Sequence, residues 1–440
     1  YLIRIDMKKG IVLLFALFIL LQHSNAQNQL SLEEAIQITL ENNYNIKLIS
    51  NDLEISKNNV SPGVAGALPY LGGNFTNNGS ILDSKQIRAD GTIQSKDGAR
   101  NSNLNYGVGL TWTIFDGLGM FARYDQLQEL EKMGKENLQV VIMENVASVT
   151  STYYNLVQQQ QQLYAYDTAI LISKQRLDFA KNRYQVGKAA KLEVLNAEVD
   201  MNTDTTNLLR QQELYNNTQT TLNQLMARDP SIRFKVTDTI PVDNTLNIEV
   251  LKEQALKHNP SLQAAIINKR VRELDLKIVK SYRYPIVNLN SGYNFTNSKS
   301  ALGFATQTSG KGLTYGVTAS VPIFNGFTQN ISEHNAKILI NSAEVQYEQL
   351  NQTILSDLTS VYQTYQTSLV LVKMEERNQR IAKENLEITI DKFKLGSITT
   401  VEFRAAQLNY INATVRNSNA QFNAKVAEIN LSRISGAMEY

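Results

Sequence analysis

The sequence predicts a mixed α and β, mainly helical chain built as two tandem repeats of helix, strand, strand, long helix, helix. Three observations predict it. Leu104, Tyr106, Val108, Leu110, Trp112 and Ile114 alternate with Asn105, Gly107, Gly109, Thr111 and Thr113, and Leu313, Tyr315, Val317, Ala319, Val321 and Ile323 alternate with Thr314, Gly316, Thr318, Ser320 and Pro322. A period of two is a strand with one apolar and one polar face. Each strand closes on Phe115-Asp116-Gly117 or Phe324-Asn325-Gly326 and gives way to a very long helical pattern. Finally, a constant offset of 209 relates Tyr106 to Tyr315, Phe115 to Phe324, Gly187 to Gly396 and Glu193 to Glu402. A register held that long marks a duplicated unit.

The elements follow in order. Residues 1–26 read as a signal peptide with an upstream extension: Met7 is a natural start, Lys8 and Lys9 are basic, Ile11 to Leu21 is apolar, and Ser24-Asn25-Ala26 is a cleavage site. The first repeat spans 27–229. Ser31 with Glu34 forms a capping box for an opening helix that runs, with interruptions, to about Asn59. Strands follow at about 69–77 and 104–115, joined by a solvated loop from Asn77 to Ser102, then helices at about 117–185 and 189–228. Asp229-Pro230 ends the repeat, and 230–245 is a linker. The second repeat, 246–440, opens with a helix from about Ile248 to Lys280 broken near Asn259-Pro260. Strands at about 286–296 and 313–324, a loop at about 297–312, and helices at about 326–394 and 398–435 complete it. Pro69 matches Pro285 at an offset of 216, so the length change between repeats falls in the strand-connecting loop.

The long helices rest on absent breakers. No Pro occurs between Tyr70 and Asp229 or after Pro322, and Gly396 is the only Gly between Phe327 and Ser435. A helix of about 65–70 residues is roughly 100 Å long. Leu350, Ile354, Leu358, Val361, Tyr365, Leu369 and Val372, and Leu138, Ile142, Val146, Val149, Tyr153 and Val157, step by four, four, three. That eleven-residue period predicts nearly straight packing with little supercoil. The Gln158 to Gln162 run reads as a solvated helix face.

A net charge of +2 supplies no field to recruit nucleic acid, and zero Cys excludes disulfides, thiol nucleophiles and a lipidated Cys. Nothing suggests a catalytic residue, a cofactor or a metal site. No run beyond the signal peptide is apolar enough for a membrane helix, so entry into a membrane would be by strands. Four strands cannot close a barrel, and open edges cannot face lipid. A homotrimer supplies twelve strands. Tyr106, Val108, Leu110, Trp112, Tyr315, Val317 and Val321 would then face lipid, and the Gly, Thr, Ser and Asn face would line water. The alternative is a small periplasmic sheet packed on the helices.

Gly187 and Gly396 sit where the long helices reverse, within Tyr184-Gln185-Val186-Gly187 and Phe393-Lys394-Leu395-Gly396, with Glu193 and Glu402 six residues on. With the duplicated halves and the Phe-Asp/Asn-Gly strand ends, this pattern resembles the TolC-like outer-membrane efflux protein family over essentially the whole mature chain. The resemblance implies a trimeric twelve-stranded outer-membrane β-barrel continued by a periplasmic α-helical barrel. It implies the exit duct of a tripartite efflux or type I secretion system, working with a periplasmic adaptor (membrane fusion protein) and an inner-membrane RND or ABC pump. By position it makes Val186, Gly187, Lys188, Leu395, Gly396 and Ser397 adaptor contacts, and Tyr184, Glu193, Phe393 and Glu402 an entrance gate. Three residues depart from the family pattern: Phe393 lacks a hydroxyl, Ile398 replaces a basic gating residue, and Ala405 stands where a second acidic ring is expected. The rival functional reading is a periplasmic adaptor-like or structural coiled-coil interaction protein.

Overall fold

The computed structural model of the chain describes residues 29–302 and 305–438; the expected signal peptide lies outside the described residues. The elements are α1 (Leu32–Asn42), α2 (Tyr44–Asn59), β1 (Tyr70–Ile87), β2 (Ile93–Asp116), α3 (Gly119–Gln185), α4 (Lys191–Leu225), α5 (Ile248–His258), α6 (Pro260–Ser281), β3 (Ile286–Lys299), β4 (Gln307–Ser320), α7 (Thr328–Lys394) and α8 (Thr400–Ser435). Both opening helices break at an Asn with the same task. The Asn43 amide donates to the Leu225 carbonyl at 2.8 Å and the Asn259 amide to the Ile434 carbonyl at 2.9 Å. Each satisfies an orphan carbonyl at the end of its repeat's last helix. Two compact units cut across the repeats. One holds residues up to Ser50, Leu138–Pro260 and Asn351 onward; the other holds Asn51–Asn137 and Ser261–Leu350.

The second unit contains the strands, as one antiparallel sheet in the order β1-β2-β3-β4. Its register aligns Phe75, Tyr106, Phe295 and Lys311 in one row and Leu71, Leu110, Ser291 and Tyr315 in another. Tyr106, Val108, Leu110, Trp112, Tyr315 and Val317 therefore share a face, joined there by Phe75, Tyr293, Phe295 and Leu313. Tyr106 and Phe295 stack at 5.0 Å, and the Trp112 indole donates to the Ala67 carbonyl at 2.9 Å. Val321 lies past the end of β4, because Pro322 has no N–H to extend the ladder.

The loop expected from Asn77 to Ser102 is instead a long hairpin. β1 and β2 stay paired to Ile87↔Ile93, and only Arg88 to Thr92 turns. Ladder bonds come from the backbone, so polar side chains on both faces do not prevent a strand. The 297–312 loop shrinks for the same reason, with β3 running to Lys299 and β4 starting at Gln307.

Each strand feeds its long helix through the same joint. Gly117 and Leu118, and Gly326 and Phe327, are consecutive left-handed residues, with φ of 70°, 67°, 65° and 64°. Asp116 Oδ1 then accepts the Met120 N–H at 3.1 Å, and Asn325 Oδ1 accepts the Gln329 N–H at 3.4 Å. Such side-chain oxygens satisfy otherwise orphan donors at a helix start.

In the first unit the core forms along the predicted seam. Val146, Val149, Tyr153 and Val157 on α3, and Leu358 and Tyr365 on α7, are buried. Phe234, Val236 and Ile240, in the segment read as a linker, are buried in the same core as Tyr153 and Leu222. The Gln158–Gln162 run is not a solvated face. Gln159, Gln160 and Gln162 are buried; Gln159 donates to Thr218 at 3.0 Å, Gln160 to Asp238 at 2.5 Å, and Gln162 to Ser418 at 3.2 Å. A buried amide is stable when its bonds are made inside the protein.

Candidate functional site

The two helix reversals lie in the first unit and are built alike. The Gly187 N–H donates to the Tyr184 carbonyl at 3.0 Å and the Lys188 N–H to the Arg183 carbonyl at 2.8 Å. The Gly396 N–H donates to the Phe393 carbonyl at 2.9 Å and the Ser397 N–H to the Lys392 carbonyl at 3.0 Å. That double bond pattern ends a helix on a left-handed residue, and φ is 74° at Gly187 and 73° at Gly396. Val186, Gly187, Lys188, Leu395, Gly396 and Ser397 are all exposed. Each reversal thus presents an apolar side chain beside bare backbone.

The acidic positions diverge. At the first reversal Ala190 caps α4 without a side-chain bond, and Glu193 accepts from Arg183 at 3.3 Å. At the second, Thr399 and Glu402 form a capping box: the Thr399 N–H donates to Glu402 Oε2 at 2.8 Å and the Glu402 N–H to Thr399 Oγ1 at 3.2 Å. The bonds from the Thr399 backbone and hydroxyl hold the Glu402 carboxyl below the usual carboxylate range, with help from the Lys392 charge.

The aromatic positions diverge too. Tyr184 is 47% exposed, whereas Phe393 is 4% exposed, packed against Phe179 at 5.1 Å and Phe403 at 4.6 Å between ring centroids. Phe393 therefore anchors the tip instead of lining an opening. With no hydroxyl to satisfy, the ring goes where burial favours it.

Behind the tips lies an ionic cluster that the sequence reading missed. Arg404 on α8 reaches Asp204 on α4 at 2.7 and 2.8 Å and approaches Asp200 at 3.6 Å. Arg176 on α3 donates to Asp200 at 2.5 Å. Ser173 donates to Asp204 at 2.5 Å, and Gln407 donates to Ser173 at 2.8 Å. Burial disfavours the Arg404 charge, but the hydrogen bond to Asp204 and the charges of Asp204 and Asp200 outweigh it and hold the guanidinium above its ordinary value. Two cations facing two carboxylates tie α3, α4 and α8 together at one level. The spacing of Asp200 and Asp204, four apart on one helix face, was the available signal.

Among the described residues, no helix is long and apolar enough to cross a membrane, and no group of three or more His, Asp or Glu could hold a metal ion.

Comparison with known proteins bears on the family and the fold. The model of the outer membrane efflux protein family matches residues 35–228 and again 251–437. The chain is 23% identical to the outer membrane protein TolC of Vibrio cholerae over 299 residues, covering 67% of this chain and 68% of that one. It is 20% identical to the TolC of Escherichia coli over 430 residues, covering 94% and 83%. The structure of the Campylobacter jejuni CmeC outer membrane channel superposes with a TM-score of 0.76 at 16% identity, covering 92% of this chain and 85% of that one.

Proposed function

Because the chain belongs to the outer membrane efflux protein family, whose channels sit in the outer membrane with a helical part in the periplasm, we propose that it is the exit duct of a tripartite efflux or type I secretion system. In this reading three copies form a passive conduit, and an inner-membrane RND or ABC pump supplies the energy. The observation that carries it is the sheet: four strands, an exposed apolar face, and β1 and β4 as open edges. In lipid those edge N–H and C=O groups must find partners, and further copies of the same sheet provide them. A second seam agrees with this. Val370, Met374, Ile381 and Ile388 on α7 are all exposed and fall on one helix face.

The exposed reversals are the surface offered to a periplasmic adaptor, with Val186, Gly187, Lys188, Leu395, Gly396 and Ser397 as its contacts. Tyr184, Glu193 and Glu402 belong to the entrance. Mass measurement of detergent-extracted outer-membrane protein tests the duct. A trimer is the expected result, and a water-soluble monomer would overturn the reading. Adaptor docking is tested separately with Val186→Asp/Leu395→Asp, which should abolish adaptor co-purification while leaving the trimer intact.

A further inference from the structure

In the paired rows from Tyr70 to Ile81, the four strands carry three charged side chains: Arg100 on β2, Lys299 on β3 and Lys311 on β4. All are cations, and all lie on the apolar face, toward the end of the sheet remote from the long helices. We propose that they form a binding site for the phosphate groups of a phosphorylated glycolipid in the outer leaflet. The proposal rests on the lipid-facing reading of the sheet above and names what that face meets at its outer end.

The register fixes where each cation stands. Lys311 is level with Phe295, Tyr106 and Phe75, the row in which Tyr106 stacks on Phe295. Aromatic rings of this kind favour the boundary between hydrocarbon and headgroups. Lys299 lies four residues farther along β3, about 13 Å beyond that row at ~3.3 Å per residue. It pairs with Ser102, and Arg100 is two residues past Ser102 on β2. The cations thus begin where the uncharged rows end. In this family the helical part lies in the periplasm, so that end faces the outer leaflet. At such a boundary a lysine stem lies on apolar surface while its ammonium reaches the polar layer.

The charges are not spent inside the protein. All three side chains are exposed, and among the described residues none takes part in an ion pair. The opposite face of the same rows, with Asn74, Thr76, Asn105, Asn290, Asn294 and Thr314, bears no charge at all. The cations therefore serve the outside of the sheet and not a water-filled passage. Past Arg100 the hairpin mixes Asp83 and Asp97 with Lys85 and Lys96, and Asp83 accepts the Gly98 N–H at 2.7 Å. The unbalanced charge is confined to the three.

Spacing selects the ligand. Arg100 and Lys299 are diagonal neighbours on adjacent strands, roughly 8 Å apart along the sheet, and can share one phosphate. The forked guanidinium donors suit a pair of phosphate oxygens. Lys311 stands about 14 Å from Lys299. One phosphate meets both lysines only if their stems lie flat along the sheet, whereas two phosphates on a sugar headgroup span the gap. A glycerophospholipid with a single phosphate fits less well.

The test titrates full-length protein in detergent, its mass checked first, and counts bound lipid by native mass spectrometry. The probes are diphosphorylated lipid A, the same lipid dephosphorylated, phosphatidylglycerol and inorganic phosphate. Lipid A should bind at least about tenfold more tightly than either other lipid, and Arg100→Gln/Lys299→Gln/Lys311→Gln should lose that preference. Arg100→Lys/Lys299→Arg/Lys311→Arg should keep it. Lys47→Gln/Lys174→Gln/Lys373→Gln removes the same charge from exposed helix positions and should keep it too. Wild-type protein with no preference for lipid A over its dephosphorylated form overturns the site, whether or not the variants fold. Undiminished preference in the sheet variant, or equal loss in the helix variant, overturns it as well. Equal binding of phosphatidylglycerol overturns the glycolipid assignment, and displacement by excess inorganic phosphate overturns it in favour of a free anion. Protein that stays out of lipid vesicles overturns the lipid-facing reading itself, a result distinct from all of these.

Discussion

Arg404 grips Asp204 through both terminal nitrogens, at 2.7 and 2.8 Å, with side chains only 13% and 3% exposed. Removing one partner of a buried pair strands the other charge and costs about 3–5 kcal/mol, whereas removing both costs far less. Asp204→Ala is therefore expected to destabilise the helical unit by about 3 kcal/mol. The double variant Asp204→Ala/Arg404→Ala should recover part of that loss. Denaturant titration of the single and double variants checks this, and strictly additive losses would show that the two side chains do not act as a pair.

The two strand-to-helix joints have the same backbone but different neighbours. A Cβ at Gly117 would fall on the Ser281 carbonyl and the Tyr284 side chain, while a Cβ at Gly326 meets nothing within 4 Å. Gly326→Ala is thus expected to cost only the left-handed conformation, about 1–2 kcal/mol. Gly117→Ala should cost several-fold more and reduce the yield of folded protein. Comparing the midpoints of thermal unfolding decides it, and equal losses would count against the contact at Ser281.

These contrasts show what the sequence carried and what it hid. The strands were legible as alternation, because Tyr106, Val108 and Leu110 face one way and Gly107 and Gly109 the other. The long helices were legible because no Pro falls in α3 or α7 and Gly134 is the one glycine inside them beyond the first residue of α3. The β1–β2 extension was not, since a ladder needs no apolar side chains and Ser84, Lys85 and Gln86 look like loop residues. The glutamine run misled for a related reason. Its partners, Thr218, Asp238 and Ser418, are remote in sequence, and composition alone does not distinguish a solvated amide from a satisfied one. The ionic cluster lies off the repeat symmetry altogether: the residues 209 positions from Arg404, Asp200, Asp204 and Arg176 are Leu195, Asn409, Ala413 and Asn385. Charge present in one copy and missing from the other was a readable trace beside the spacing of Asp200 and Asp204.

Adjacent positions on β2 should respond oppositely to charge. Leu110 lies on the apolar face of the sheet and Thr111 on the polar one. A lysine facing the lipid midplane costs about 2–4 kcal/mol, while one in a water-filled lumen costs little. Leu110→Lys should lower the yield of assembled, heat-resistant oligomer several-fold, and Thr111→Lys should leave the yield near wild type. Equal yields would refute the assignment of the faces.

Glu402 carries the last prediction, because its cap and its charge can be separated. The bonds from Thr399 depress its carboxyl below the ordinary value of 4.5. For a depressed acid, the stabilising contact is complete above the unfolded value and fades as pH falls through the lower folded one. At neutral pH the group is ionised, and three copies around a shared entrance would form an acidic ring that attracts cations. A glutamine at the same position still closes a capping box, so Glu402→Gln removes the charge and keeps the helix start. Thr399→Ala does the reverse: it loses the cap and keeps the charge. Divalent-cation block of single channels at neutral pH is expected to weaken several-fold in Glu402→Gln and to persist in Thr399→Ala. In the wild type the block should fade as falling pH protonates the carboxyls, toward the behaviour of the glutamine variant. Block that is unchanged in Glu402→Gln would remove the acidic ring and leave Glu402 as a helix cap.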